Sequence, residues 1–214
     1  MTVRPTSESA SSIPTLSLSA LFAALPDFAL AGTFLITWIR PETFGVELVG
    51  RLVTLLLLEF ITIHSAAFMG MAMMSRRASR TKRVGGILFL TAFYSLFAGA
   101  FSFFARSWWP ILSFWGLVGN RLLQVLIGRV PEGREQDAVI AGWGITGALY
   151  VICVFIVTIA PIPSLGVSPS VVAAQHFSAT GIWIEQPWRP LAGGFLYYLL
   201  VGWSELKMQR FNAA

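Results

Sequence analysis

Charged residues are scarce in this 214-residue chain: they make up 12% of it, whereas hydrophobic residues make up 56%. A soluble domain of this length is usually about 25% charged and about 45–50% apolar. A surface that faces water needs those charged side chains, so the composition excludes a soluble enzyme, a disordered chain and a collagen-like repeat. The mean hydropathy of +0.72 instead predicts an integral membrane protein.

The chain has only one cysteine, and several catalytic motifs are missing as well. The single cysteine, Cys153, excludes an intramolecular disulfide framework, a CxxC redox pair and a multi-cysteine zinc site. The chain has no GxSxG run of a serine hydrolase, no HExxH run of a metalloprotease and no lysine inside an apolar stretch that could form a Schiff base. We therefore expect no cofactor, and a protein that is not an enzyme is favoured.

Six apolar stretches are long enough to be transmembrane helices, because a helix needs about 20 apolar residues to cross about 30 Å of hydrocarbon. The fold class predicted from them is an all-α, polytopic bundle of six transmembrane helices. The stretches are Leu16–Trp38, Val46–Met74, Val84–Ala105, Trp109–Gly128, Ala138–Ile159 and Leu191–Leu206.

The domain organisation follows from these stretches. Residues 1–14 form a polar N-terminal cytoplasmic tail, residues 15–210 form the six-helix domain, and residues 161–190 within it form a long outer loop with five prolines. The first apolar run continues through Gly32–Ile39, beyond a possible cleavage sequence at residues 29–31. We therefore expect an uncleaved first helix rather than a signal peptide.

The basic residues predict the orientation in the membrane. Alternating the six spans places ten lysines and arginines on one side and three on the other, with five of the ten within residues 76–83. Cytoplasmic loops carry an excess of these residues, so both termini are predicted to be cytoplasmic, in the inner (plasma) membrane of a bacterium. Contact with anionic lipid headgroups explains the net charge of +5, and no nucleic-acid partner is expected.

Charged side chains inside the predicted spans are the main functional signal, because a charge in hydrocarbon is costly and needs a partner. For Glu59, near the middle of the second span, two interpretations stay open. It forms a buried ion pair with Arg121, or it exchanges protons or binds a cation. Asp27 follows Pro26, so a helix N-cap is favoured for it, with proton exchange as the alternative.

Polar residues at helical spacing also mark two of the spans. In the fourth span, Ser113, Gly116, Asn120 and Gln124 share one face, and in the third span Thr91, Ser95, Ala98 and Ser102 do the same. Helix packing through small and hydroxyl side chains is the favoured interpretation, and a hydrated path is the alternative. Packing is also expected at Gly144 and Ala148 in the fifth span.

Histidines offer little support for a metal site. His64 is the only histidine in a span, so no metal is expected and His64 is a weak candidate ligand. A haem would need a second axial ligand from a symmetric partner, since His176 falls in the outer loop.

These observations favour a channel or transporter for protons, ions or a small solute, assembled as a homo-oligomer in the lipid bilayer. Two alternatives are kept: a non-catalytic accessory or assembly subunit of a larger membrane complex, and a haem- or redox-anchoring membrane subunit. A transporter should have a hydrated cavity that reaches Asp27 or Glu59, whereas an accessory subunit should have a packed bundle with a broad apolar flank. The residues predicted to line the path are Asp27, Glu59, Asn120, Arg121 and Gln124.

Overall fold

The computed structural model describes residues 18–75, 77–104, 106–128, 130–177 and 180–213, which form helices and connecting loops with no strand among them. The predicted tail at residues 1–14 lies outside the described residues. Each of the six predicted stretches corresponds to one long helix. The elements are α1 (Leu18–Ile39), a 3-10 helix (Pro41–Thr43), α2 (Glu47–Met74), α3 (Arg80–Phe104), α4 (Trp109–Leu126), α5 (Arg134–Ile159), α6 (Pro169–Ala174), α7 (Ile182–Glu185) and α8 (Trp188–Ala213).

Four of the described helices are long and apolar enough to cross a membrane, which agrees with the predicted membrane location. They cover residues 21–39, 47–74, 80–103 and 134–159. The other two long helices, α4 and α8, are not among these four. The 18 residues of α4 include Asn120, Arg121 and Gln124, and the second half of α8 includes Glu205 and Lys207.

Helix α1 is continuous through Pro26, which corrects one prediction. Pro26 and Asp27 lie inside α1, well after its first residue Leu18, so Asp27 is not an N-cap. A proline inside a membrane helix is tolerated where neighbouring groups satisfy the freed backbone carbonyls. The role expected for Asp27 at a helix start is therefore wrong, and the half-buried Asp27 lies against α8 instead.

Helix α2 is shared by two packed clusters. The first joins α2 to α1, α5 and α8, with Phe34, Leu56 and Tyr197 almost fully buried at its centre. The second joins α2 to α3 and α4, around Ile87 and Phe114. Because α2 belongs to both clusters, a group on α2 can face either cluster but not both.

At one end of the bundle, which we call the loop end, side chains close the helix termini. Arg189 donates hydrogen bonds from Nη1 to the carbonyl oxygens of Val157, Thr158 and Ala160, at 2.7, 3.1 and 2.9 Å. Val157 and Thr158 lie in the last turn of α5 and Ala160 directly follows it, where a cation is also favoured by the helix dipole. Trp38 Nε1 donates to the Pro163 carbonyl at 2.9 Å, so the connection after α5 is fixed to the end of α1 as well.

At the opposite end, which we call the basic end, arginines cap two further helices. Arg80 donates to the Leu126 carbonyl at the C-terminus of α4, and Arg83 donates to the Ser75 carbonyl after α2, at 3.1 Å for the latter. The start of α3 is therefore adjacent to the ends of α2 and α4. These three helices run antiparallel, neighbour to neighbour, between the two ends.

Candidate buried carboxylate site

Glu59 lies near the middle of α2 and faces the cluster formed with α1, α5 and α8. The Tyr197 hydroxyl on α8 donates a hydrogen bond to Glu59 Oε1 at 3.0 Å. The Tyr198 side chain is also adjacent to this carboxylate. Within the described part of the chain no lysine, arginine or histidine forms an ion pair with Glu59, so tyrosine hydroxyls supply its polar contacts.

Three tyrosine rings pack together beside this carboxylate. Tyr150 on α5 packs edge-on against Tyr197, with ring centroids 5.5 Å apart, and Tyr197 contacts the Tyr198 ring at 4.9 Å. The Tyr150 hydroxyl donates to the Leu56 carbonyl at 2.8 Å, one turn before Glu59 on α2. The ring contacts hold the side chains of Tyr197 and Tyr198 in place beside Glu59.

Two more carboxylates follow Glu59 towards the basic end. Asp27 interacts electrostatically with Glu59, and it lies against α8 at Gly202, where an added Cβ would be 3.3 Å from the Asp27 Cβ. Gly202 is five residues beyond Tyr197, which is about 7.5 Å along the helix. Glu205 is about 4.5 Å further and interacts with Asp27. Its Oε2 atom is buried and has no hydrogen-bond partner among the residues that the structure describes.

Arg121 does not join this site. Its guanidinium stacks on the Trp143 ring at 5.2 Å from the centroid, and its Nε is buried without a hydrogen-bond partner. The Trp143 ring in turn fills the space beside Gly70, where an added Cβ would be 1.8 Å from Trp143 Cη2. Gly70 is eleven residues from Glu59, about 16 Å along α2. The predicted Glu59–Arg121 ion pair is therefore not formed among the described residues.

The polar stripe of α4 faces away from the rest of the described bundle. Ser113, Gly116 and Asn120 are exposed, and Gln124 Nε2 donates to Asn120 Oδ1 at 3.5 Å on the same face. The structure thus brings neither Asn120 nor Gln124 to Glu59.

The polar stripe of α3 and the small residues of α5 differ in burial. The α3 stripe is buried at Thr91, Ala98 and Ser102, as expected for helix packing. Gly144 and Ala148 are exposed, so they do not pack against a described helix of this chain.

His64 contacts its own helix. Its Nδ1 lies 2.8 Å from the Phe60 carbonyl oxygen, and its ring stacks on Phe60 with centroids 4.0 Å apart. No group of three or more histidine, cysteine, aspartate or glutamate side chains suited to a metal ion occurs in the residues that the structure describes.

Two neighbouring cavities open at the loop end rather than at Glu59. One, of about 750 Å³, lies between α2, the α3–α4 turn and the segment after α6, and it is lined by Arg51 and Arg106. The other, of about 860 Å³, lies beside the same turn and also includes Arg106. The described lining of these two cavities includes neither Glu59 nor Asp27.

The tyrosines were the part of the site that the sequence did not reveal. The available signal was a tandem pair, Tyr197 and Tyr198, in an apolar run that approaches the membrane midplane from the loop end. A hydroxyl group there needs a hydrogen-bond partner, and a carboxylate at the same depth is an available one.

No protein-family model matches the chain, and it has no significant match among curated protein sequences or solved structures.

Proposed function

We propose that the protein is a membrane channel or transporter for protons, ions or a small solute, with Glu59 as the carboxylate that binds the moving proton or cation. One observation carries this proposal: a carboxylate halfway along a membrane helix contacts tyrosine hydroxyls and has no cationic partner in the described bundle. A lone carboxylate in hydrocarbon is costly, and binding a proton or a cation relieves that cost.

The positions of Asp27 and Glu205 support a path from the basic end. Three carboxylates at successive depths give a proton or cation positions to occupy between the basic end and Glu59. Towards the loop end the same cluster is apolar, because Phe34, Leu56 and Leu191 are almost fully buried. In this conformation, Glu59 is therefore proposed to exchange its proton or cation with the basic end alone.

The proposed membrane arrangement has six spans, with both termini and the basic end in the cytoplasm of a bacterium. Under this arrangement the exposed polar stripe of α4 would face lipid. Amide side chains such as those of Asn120 and Gln124 are more stable when they form hydrogen bonds with another helix. A second copy of the chain, or another subunit of a membrane complex, is proposed to cover this stripe.

The test is Glu59→Gln in purified protein, with the melting temperature measured in detergent and proton or cation flux measured in proteoliposomes. Glutamine keeps the shape and can still accept the Tyr197 hydrogen bond, and no described cation loses a counter-charge. We expect an unchanged melting temperature and lost flux. Glu42→Gln, an exposed carboxylate at the loop end, is the matched control and should keep full flux.

The accessory or assembly subunit is the second candidate. It is favoured because neither described cavity reaches Glu59, and because α3 and α5 expose many large apolar side chains, including Phe89, Leu96 and Phe155. A folded Glu59→Gln protein that conducts as well as the wild type would refute the transport role of Glu59. If the wild type has no flux under any gradient, the accessory role replaces it.

A further inference from the structure

Two arginines without partners line one cleft at the loop end. Arg51 on the second turn of α2 and Arg106 in the α3–α4 turn both line the cavity of about 750 Å³. Neither guanidinium forms a hydrogen bond or an ion pair within the described structure. A guanidinium has five donors in a fixed plane and matches the oxygens of a phosphate or carboxylate. Two free guanidinium groups in one cleft therefore favour an anionic ligand.

Hydrogen bonds hold the walls of this cleft in place. Gln175, after α6, accepts from the Gly50 amide and donates to the Val46 carbonyl, both at 2.9 Å, which fixes the segment after α6 to the start of α2. On the other side, Ser102 Oγ accepts from the Ile111 amide at 3.0 Å and fixes the α3–α4 turn. The cleft is thus formed before a ligand binds, which limits the ordering that binding requires.

The cleft becomes apolar below the arginines. Leu57 lies six residues after Arg51, about 9 Å deeper along α2, and Val53 and Phe101 line the same region. Trp109 lies at the level of the arginines, where aromatic side chains meet the membrane interface. A ligand that fits this arrangement has a charged head at the interface and an apolar tail in the membrane.

The adjacent cavity of about 860 Å³ gives room for a second tail. Arg106 and Ser107 line both cavities, so a head held at Arg106 has access to each of them. The second cavity is lined by Trp108 and Ile111 and is mostly apolar.

The other titratable groups of the cleft are Glu47 and His176. Two arginines and one glutamate leave an excess of one positive charge when His176 is neutral, which favours an anionic head over a zwitterionic one.

We propose that this cleft binds the phosphate headgroup of an anionic two-chain phospholipid, with Arg51 and Arg106 on the phosphate and one tail in each cavity. This site is separate from Glu59, and the proposal does not depend on transport.

The experiment measures binding of dioleoyl phosphatidylglycerol to the purified full chain in detergent, by tryptophan fluorescence and by native mass spectrometry. Dioleoyl phosphatidylcholine and inorganic phosphate are the comparison probes. We expect one saturable phosphatidylglycerol site and a dissociation constant at least about tenfold higher in R51Q/R106Q, the factor that corresponds to one lost charge-assisted hydrogen bond. Arg40→Gln, an exposed arginine at the same end but outside the cleft, should bind like the wild type.

The melting temperature of R51Q/R106Q should equal that of the wild type, because neither guanidinium forms a hydrogen bond or ion pair with the described protein. If the double variant does not fold, phospholipid binding is measured with the single variants Arg51→Gln and Arg106→Gln instead. The proposal is overturned by unchanged binding in the cleft variants, by an equal loss in Arg40→Gln, or by equal affinity for phosphatidylcholine. Inorganic phosphate that binds as tightly as the phospholipid would show that free phosphate is the ligand instead.

Discussion

At the residue scale, the partner of a buried carboxylate decides which charge states that carboxylate can adopt. An arginine has donors only, so it stabilises a carboxylate and opposes a neutral carboxylic acid. A tyrosine hydroxyl can donate to a carboxylate or accept from a carboxylic acid. Tyr197 can therefore keep its contact with Glu59 in both states. This is the physical reason that the observed partner suits a changing charge better than the predicted partner, Arg121.

The prediction at the residue scale concerns Tyr197→Phe. The change removes the hydroxyl bonded to Glu59 but keeps the ring that packs on Tyr150 and Tyr198. We expect a loss of roughly 1–2 kcal/mol in the free energy of unfolding and a changed flux in proteoliposomes. Tyr150→Phe, which loses a similar hydrogen bond to the Leu56 carbonyl, should lower stability alone. Equal flux changes in the two variants would contradict a specific role for the Tyr197 hydroxyl.

The sequence revealed Glu59 and Asp27 but not their neighbours, and the cause is physical. A charge inside an apolar run is visible without any structure, since its cost does not depend on which way the helix turns. The sequence does not show which side of a membrane helix faces the protein, because lipid and the protein interior are equally apolar and no hydrophobic stripe results. Depth in the membrane therefore predicts Arg121 as the partner of Glu59, whereas in the structure Arg121 stacks on Trp143.

At the scale of elements, helix positions were predictable from apolar length, and helix faces were not. The polar residues of α3 and α4 both recur at helical spacing, yet Thr91 and Ser102 are buried while Ser113 and Asn120 are exposed. The position of Asp27 in its helix was not predictable either, because a proline such as Pro26 can begin a helix or lie within one. In the structure Pro26 lies within α1.

The prediction at this scale concerns the contact between α1 and α8. Gly194 lets α8 approach the fully buried Phe34, and an added Cβ would lie 2.3 Å from Phe34 Cε1. Gly194→Ala should therefore lower the free energy of unfolding by about 1–3 kcal/mol, because the ring has no free space to move into. Gly144→Ala on α5 has no atom within 4 Å of the added Cβ and should be neutral or slightly stabilising. Similar melting temperatures for the two variants would show that α8 does not approach Phe34 this closely.

At the scale of the whole molecule, the contacts between helices bear on how many of them cross the membrane. Helix α8 starts at the loop end, contacts Glu59 through Tyr197 midway, and continues past Asp27 towards the basic end. Helix α4 ends beside the start of α3, where Arg80 reaches the Leu126 carbonyl. Both helices therefore run between the same two ends as the four strongly apolar ones. Their 18 and 26 residues correspond to about 27 and 39 Å, against about 30 Å of hydrocarbon.

We therefore predict six spans, with the basic end and both termini in the cytoplasm. The ten-to-three distribution of lysines and arginines favours this orientation, and four spans would leave the polar α4 and α8 at the membrane surface, apart from the helices they contact. Reporter fusions after Ser79, Pro131 and Ala214 should be active only as cytoplasmic reporters, and those after Phe44 and Ser164 only as external ones. The fusion after Pro131 tests α4, because it moves to the outside if α4 does not cross. A reporter after Ala214 that is active only outside the cytoplasm would overturn the proposed topology, and the exchange path would then have to be assigned to the opposite face of the membrane.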